Sequence, residues 1–131
     1  MTERSLTLSL LPDTYAVCRL DGGAPVPAWA LSEGFSSITR TDDELSIVCA
    51  QRVIADGVAS KRGWRCLKVE GPLDFALTGV LAGIATPLAH TGVSIFAVST
   101  YDTDYILVRE QTLTQTIDAL SRQGYHIRTR A

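Results

Sequence analysis

Polar and apolar positions alternate along residues 64–70 (WRCLKVE), with Cys66 and Lys68 opposed to Leu67 and Val69, the period-two signature of a strand. Gly71-Pro72 punctuates the run. From Leu73 the apolar positions are Leu73, Leu77, Val80, Leu81, Ile84 and Leu88, and their spacing by three and four predicts a helix. Pro72 suits the first turn of that helix, Asp74 suits the positive end of its dipole, and Pro87 and Gly92 bracket its end. Residues 93–99 (VSIFAVS) and 105–109 (YILVR) read as two strands across the polar turn 100–104. Thr112 followed by Gln115 predicts a capping box. The helix it opens carries Leu113, Ile117 and Leu120 on one face and stops at Gly124. Residues 125–128 form a last edge strand. The resulting order, β-α-β-β-α-β, is the ferredoxin-like arrangement.

The N-terminal half reads as a shorter copy. Residues 14–20 are a strand, and Pro25, Pro27 and Gly34 bracket a short helical or irregular piece around 29–31. Residues 35–40 and 44–50 form a hairpin across Thr41-Asp42-Asp43. The segment TRTDDELSIVCAQ (39–51) lies without a gap over STYDTDYILVREQ (99–111), placing Asp42 on Asp102, Glu44 on Asp104, Val48 on Val108 and Gln51 on Gln111. The matching turn chemistry between two apolar strands marks an internal repeat. Too few residues remain in the first copy for two full helices. The expected class is therefore α+β: two ferredoxin-like units, a degenerate one over 1–62 and a complete one over 63–131, with sheets packed against helices. The stripped unit reads as support and the complete one as the carrier of function.

Composition narrows the function classes. The chain has 131 residues, 12 basic and 14 acidic, a formal net charge of −2 and 46% apolar residues. That length buries enough surface for a stable core without disulfides or metal. The near-neutral balance argues against an electrostatic nucleic-acid binder, and no window approaches a transmembrane run. No basic, apolar, small-residue series opens the chain, so no secretory leader is expected. The three cysteines (Cys18, Cys49 and Cys66) are odd in number and lie in strand-like segments without a C-x-x-C, which points to reduced core residues in a cytoplasmic protein.

Candidate chemistry is sparse. Gly71-Pro72-Leu73-Asp74 is either a plain strand-to-helix connection or a helix N-terminus that holds an anion. Asp102 and Asp104 flank Thr103, and they shape the turn, meet a ligand ammonium or guanidinium, or, as the least favoured reading, hold a metal ion. Gly79 and Gly83 lie in the first long helix and imply close approach of the sheet, a partner helix or a ligand. His90 and His126, like Trp29 and Trp64, read as structural. No hydrolase elbow, metalloprotease, dinucleotide or P-loop motif occurs, so no enzyme, no metal and no cofactor are expected.

The run GPLDFALTGVLAGIATPLAHTGVSIFAVSTYDTDYILVREQ (71–111) resembles the tandem ACT-domain proteins related to the CASTOR arginine sensors, and WALSEGFSSITRTDDELSIVC (29–49) resembles the degenerate first unit of their small bacterial members. The most specific pieces are P-L-A at 87–89, S-I-F at 94–96 and S-T-Y-D-T-D at 99–104. The resemblance implies an amino-acid-binding regulatory protein whose site lies between paired units. Carried over by position, that site comprises Asp74, Leu77, Val80, Thr100, Tyr101 and Asp104, with Ser94 and Ile95 from the paired unit. One complete unit per chain implies a homodimer. Arginine is one candidate ligand; the sensors carry an acidic residue where this chain has Leu77, and a glycine where it has Asp74, which counts against it. The alternatives are an interaction subunit with a decayed ligand site and, less favoured, an enzyme on a ferredoxin-like scaffold.

Overall fold

In the computed structural model, residues 6–71, 73 and 79–129 are described. Leu6, Leu8 and Leu10 alternate with Thr7 and Ser9, and this period-two run forms β1 (Thr7–Leu10), a strand missing from the expected order. The chain divides into two compact units: Asp13–Trp64, and Met1–Pro12 together with Arg65–Ala131. The division thus falls at Trp64, and the residues through Pro12 group with the C-terminal part.

The Asp13–Trp64 unit holds β2 (Tyr15–Asp21), β3 (Ser37–Arg40), β4 (Glu44–Ala50) and the first half of β5 (Ala59–Val69), in the antiparallel order β3-β4-β2-β5. Cys18, Leu45, Ile47 and Cys49 turn to one face, where Ala30 completes the buried cluster. Its cover is slight. Short 3-10 turns at Ala28–Leu31 and Gln51–Val53 stand where a complete unit has helices, helped by partly buried Trp29, Val53, Ile54 and Val58. Opposite β2, β5 shifts register between Tyr15 and Val17. Gly63 sits in this irregular stretch at φ 82°, a backbone state that favours glycine, and donates its N–H to Gln51 Oε1 at 3.1 Å.

The second unit contains β1, the rest of β5, α1 (Val80–His90), β6 (Ile95–Ser99), β7 (Asp104–Arg109), α2 (Leu113–Arg122) and β8 (His126–Arg128). Its sheet runs β6-β7-β5-β1-β8, with β1 antiparallel to β5 and parallel to β8. The β-α-β-β-α-β order is present, and β1 is inserted between the first and last strands of that pattern. Leu8, Leu67, Val69, Ile106 and Val108 on the sheet pack with Val80, Ile84, Leu88, Ala119 and Leu120 on the helices and with Tyr125.

Three expectations need correction. The described helix α1 starts at Val80, with Gly79 in the left-handed conformation at its N-cap (φ 79°); Leu73 lies outside it. The buried stripe Val80, Ile84 and Leu88 keeps its predicted spacing, but the helix start expected at 72–74 is not where α1 begins. No capping box forms either. Thr112 Oγ1 donates to Arg109 O at 2.9 Å, and Gln115 Nε2 donates to Thr91 O at 3.1 Å, so both side chains are committed elsewhere. Finally, the two hairpins correspond one residue differently from the sequence alignment. Arg40 pairs with Leu45 as Ser99 pairs with Asp104, and Ile38 pairs with Ile47 as Ala97 pairs with Ile106. Thr41 therefore matches Thr100, and Cys49 rather than Val48 matches Val108. A one-residue slip exchanges the faces of a strand, which a count of similar residues does not register.

Candidate functional site

The β6–β7 hairpin closes on a turn built by threonine. Thr100 N–H donates to Thr103 O at 2.8 Å, Thr100 Oγ1 donates to the same oxygen at 3.0 Å, and Thr103 N–H donates to Thr100 Oγ1 at 3.3 Å. Thr103 is 3% exposed, and its hydroxyl donates to Val69 O at 2.6 Å, which fastens the tip to the end of β5. Leu73 N–H donates to Asp102 O at 2.8 Å. That bond uses one of the amides the expected anion cradle would offer. Gly71 is packed tightly here, since a Cβ would lie 2.8 Å from Leu73 N and 3.3 Å from Asp102 O.

Between this tip and the start of α1 lies a cleft of about 250 Å3, lined by Leu73, Gly79, Val80, Leu81, Ser99, Thr100, Tyr101, Asp102, Thr103 and Asp104. Its charged lining residues are Asp102 and Asp104. Ser99 Oγ donates to Asp104 Oδ1 at 2.6 Å, a charge-assisted bond that orients the carboxylate. Tyr101 is 87% exposed at the rim. Leu73, Val80 and Leu81 supply apolar surface. This lining suits a small molecule with a cationic group directed to a carboxylate and an aliphatic portion against α1.

Of the site residues implied by the sequence, Val80, Thr100, Tyr101 and Asp104 line this one cleft. Asp74 and Leu77 lie outside the described residues. Ser94 and Ile95 are not among the lining residues; Ser94 is exposed before β6, and Ile95 packs against the core of its own unit. Asp102 and Gly79, for each of which a ligand is one of the sequence readings, also line the cleft, and so do Ser99 and Thr103, which carry no ligand role in the sequence reading. The signal for Ser99 and Thr103 is their place in the S-T-Y-D-T-D run; what the run does not tell is that Thr103 is buried, because that depends on the end of β5. Among the described residues, no group of three or more His, Cys, Asp or Glu is gathered to hold a metal ion, and no helix is long and apolar enough to cross a membrane.

An ACT-domain family profile matches residues 59–122, and a second profile, for an N-terminal domain, matches residues 13–57. The cytosolic arginine sensor for mTORC1 subunit 1 of Rattus norvegicus is 33% identical over 100 residues, 76% of this chain and 30% of that protein, so the chain spans about a third of the length of that relative. A crystal structure of an Agrobacterium tumefaciens protein is 42% identical, covers 97% of this chain and 95% of its own, and superposes with a TM-score of 0.92. The regulatory subunit of aspartate kinase from Thermus thermophilus is similar in fold, with a TM-score of 0.65 at 10% identity over 88% of this chain and 95% of that one.

Proposed function

From the premise that this chain is an ACT-domain protein related to the cytosolic arginine sensors, we propose that it is a cytoplasmic, non-catalytic regulatory protein that binds an amino acid as a homodimer. The observation that carries the reading is the single cleft in which Val80, Thr100, Tyr101 and Asp104 meet. Asp104, held by Ser99, takes the ligand's ammonium or a cationic side chain. Thr100 spends its N–H and hydroxyl on the turn, so it acts by placing Tyr101 and Asp104. Asp74 and Leu77 belong to the segment leading from Leu73 to Gly79, and both of these described ends border the cleft. Ser94 and Ile95 come from the second copy, which is why the site is completed in a dimer. Arginine remains one candidate among amino acids.

The test is thermal unfolding of the full chain with a panel of amino acids. A ligand at about 100 times its Kd adds about 2.7 kcal/mol, which raises the midpoint by several degrees. At least one amino acid is expected to produce that shift, and Asp104→Ala is expected to abolish it while the variant stays folded. If no panel member shifts the wild type, amino-acid binding fails and a non-catalytic interaction subunit becomes the better reading. Light scattering that gives a monomer at micromolar concentration would remove the intersubunit site.

A further inference from the structure

Cys18 on β2 and Cys49 on β4 lie in the buried cluster of the Asp13–Trp64 unit, each about 1% exposed, and neither is in a disulfide. In the β2–β4 register Cys18 stands opposite Ile47 and Cys49 opposite Ala16, so the two cysteines are diagonal neighbours on one face of the sheet. Their thiols are hydrogen-bonded to each other. Burial is the largest cause for both thiols and raises them, Cys49 to about 11. The third cysteine differs. Cys66 sits on β5 in the other compact unit, where burial pushes it up to about 12.

We propose that Cys18 and Cys49 are a reversible dithiol–disulfide pair, oxidised by a peroxide, that links β2 to β4 inside the N-terminal unit. The reaction balances in two steps. The Cys18 thiolate attacks one oxygen of hydrogen peroxide, the O–O bond breaks, and hydroxide leaves with a sulfenic acid on Cys18. The Cys49 sulfur then displaces that hydroxyl; its proton leaves with the departing oxygen as water, and the S–S bond forms. Overall, two thiols and one peroxide give one disulfide and two waters.

Two structural features decide how the pair behaves. The cover over the cluster is two 3-10 turns and partly exposed Leu20, Ala24, Trp29 and Val53 rather than an α-helix. Such cover opens at low cost, which gives peroxide a route to thiols that are closed off in the ground state. Diagonal positions on antiparallel strands have Cα atoms about 7–8 Å apart, whereas a disulfide joins Cα atoms about 4.4–6.8 Å apart. Oxidation therefore shears β2 against β4, and the bond formed is a strained one that thiols reduce readily.

The experiment treats the reduced full-length chain with hydrogen peroxide, then denatures it, blocks remaining thiols with N-ethylmaleimide and maps peptides by mass. The expected product is one intrachain link between Cys18 and Cys49, two hydrogens lighter than the dithiol, with Cys66 blocked and the link removed by dithiothreitol. Cys18→Ser and Cys49→Ser should each lose the link, and Cys66→Ser should keep it. Oxygen added to single cysteines without a link, a link through Cys66 or between chains, or three unreacted thiols at a peroxide dose that oxidises the unfolded chain would each overturn the proposal. Mapping the wild type needs no variant to fold, and its outcome is independent of whether an amino acid binds at the cleft.

Discussion

Thr103 joins local turn chemistry to the core, because its buried hydroxyl donates to Val69 O at 2.6 Å while its backbone closes the hairpin tip. Thr103→Val keeps the shape and removes the donor to Val69 O, at a cost of about 1–3 kcal/mol. Thr103→Ser should retain most of the stability, and urea unfolding of the two variants checks the difference. Gly83 makes a steric demand of another kind. A Cβ there would sit 2.8 Å from the Tyr125 hydroxyl oxygen, so the glycine in α1 is explained by close approach of a core tyrosine. Gly83→Ala gains about 1 kcal/mol of helix propensity but overpacks a filled site at about 1–3 kcal/mol, and a net loss is expected in the same assay. Glu70 sets an acid limit. A hydrogen bond from Ser9, with Lys68 and Arg128 nearby, holds its carboxyl below the ordinary 4.5. A depressed folded value means that the contribution is complete above the unfolded value and disappears as pH falls through the folded one. Glu70→Gln should therefore flatten the decline in stability below pH 4.5, as read from unfolding curves at successive pH values.

Among the elements, those marked by apolar runs between turn signals were legible and those set by partners were not. β2, β4, β6 and β7 are short apolar runs bounded by turn signals, and α2 packs Leu113 and Leu120 as predicted while Thr116 and Ala119, rather than Ile117, complete its buried face. The start of α1 was misplaced because Leu73 continues the three-and-four spacing although it is outside the helix, packed against the core and bonded through its amide to Asp102. Apolar spacing reports which residues face a core; it does not report where a helix begins. The Thr112–Gln115 pair has the right residues for a capping box, but Arg109 and Thr91 compete for their hydrogen bonds. The two side chains thus act separately, and a double-mutant cycle of Thr112→Ala and Gln115→Ala should show coupling within about 0.5 kcal/mol of zero. The cleft was half legible. Ser99, Thr100, Tyr101, Thr103 and Asp104 belong to one contiguous run, but the hold of Ser99 on Asp104 and the burial of Thr103 depend on the register of β6 on β7 and on the end of β5.

For the molecule as a whole, the family profile ends well short of the residues that complete its sheet. β8 is paired with β1 alone among the described strands, and β1 lies between β8 and β5. Glu70 N–H donates to Thr7 O at 2.8 Å and His126 N–H to Leu6 O at 3.1 Å, extending that ladder at both sides. A chain beginning at residue 63 would leave β5 with an open edge and β8 without a neighbour, the kind of exposed backbone that pairs indiscriminately. Such a fragment is expected to aggregate or remain unfolded, as followed by circular dichroism and size-exclusion chromatography. Adding a synthetic peptide of residues 1–12 should rescue it. The opening residues would then act as a detachable template, making the chain a natural candidate for split-protein complementation in which assembly of the two pieces is itself the signal.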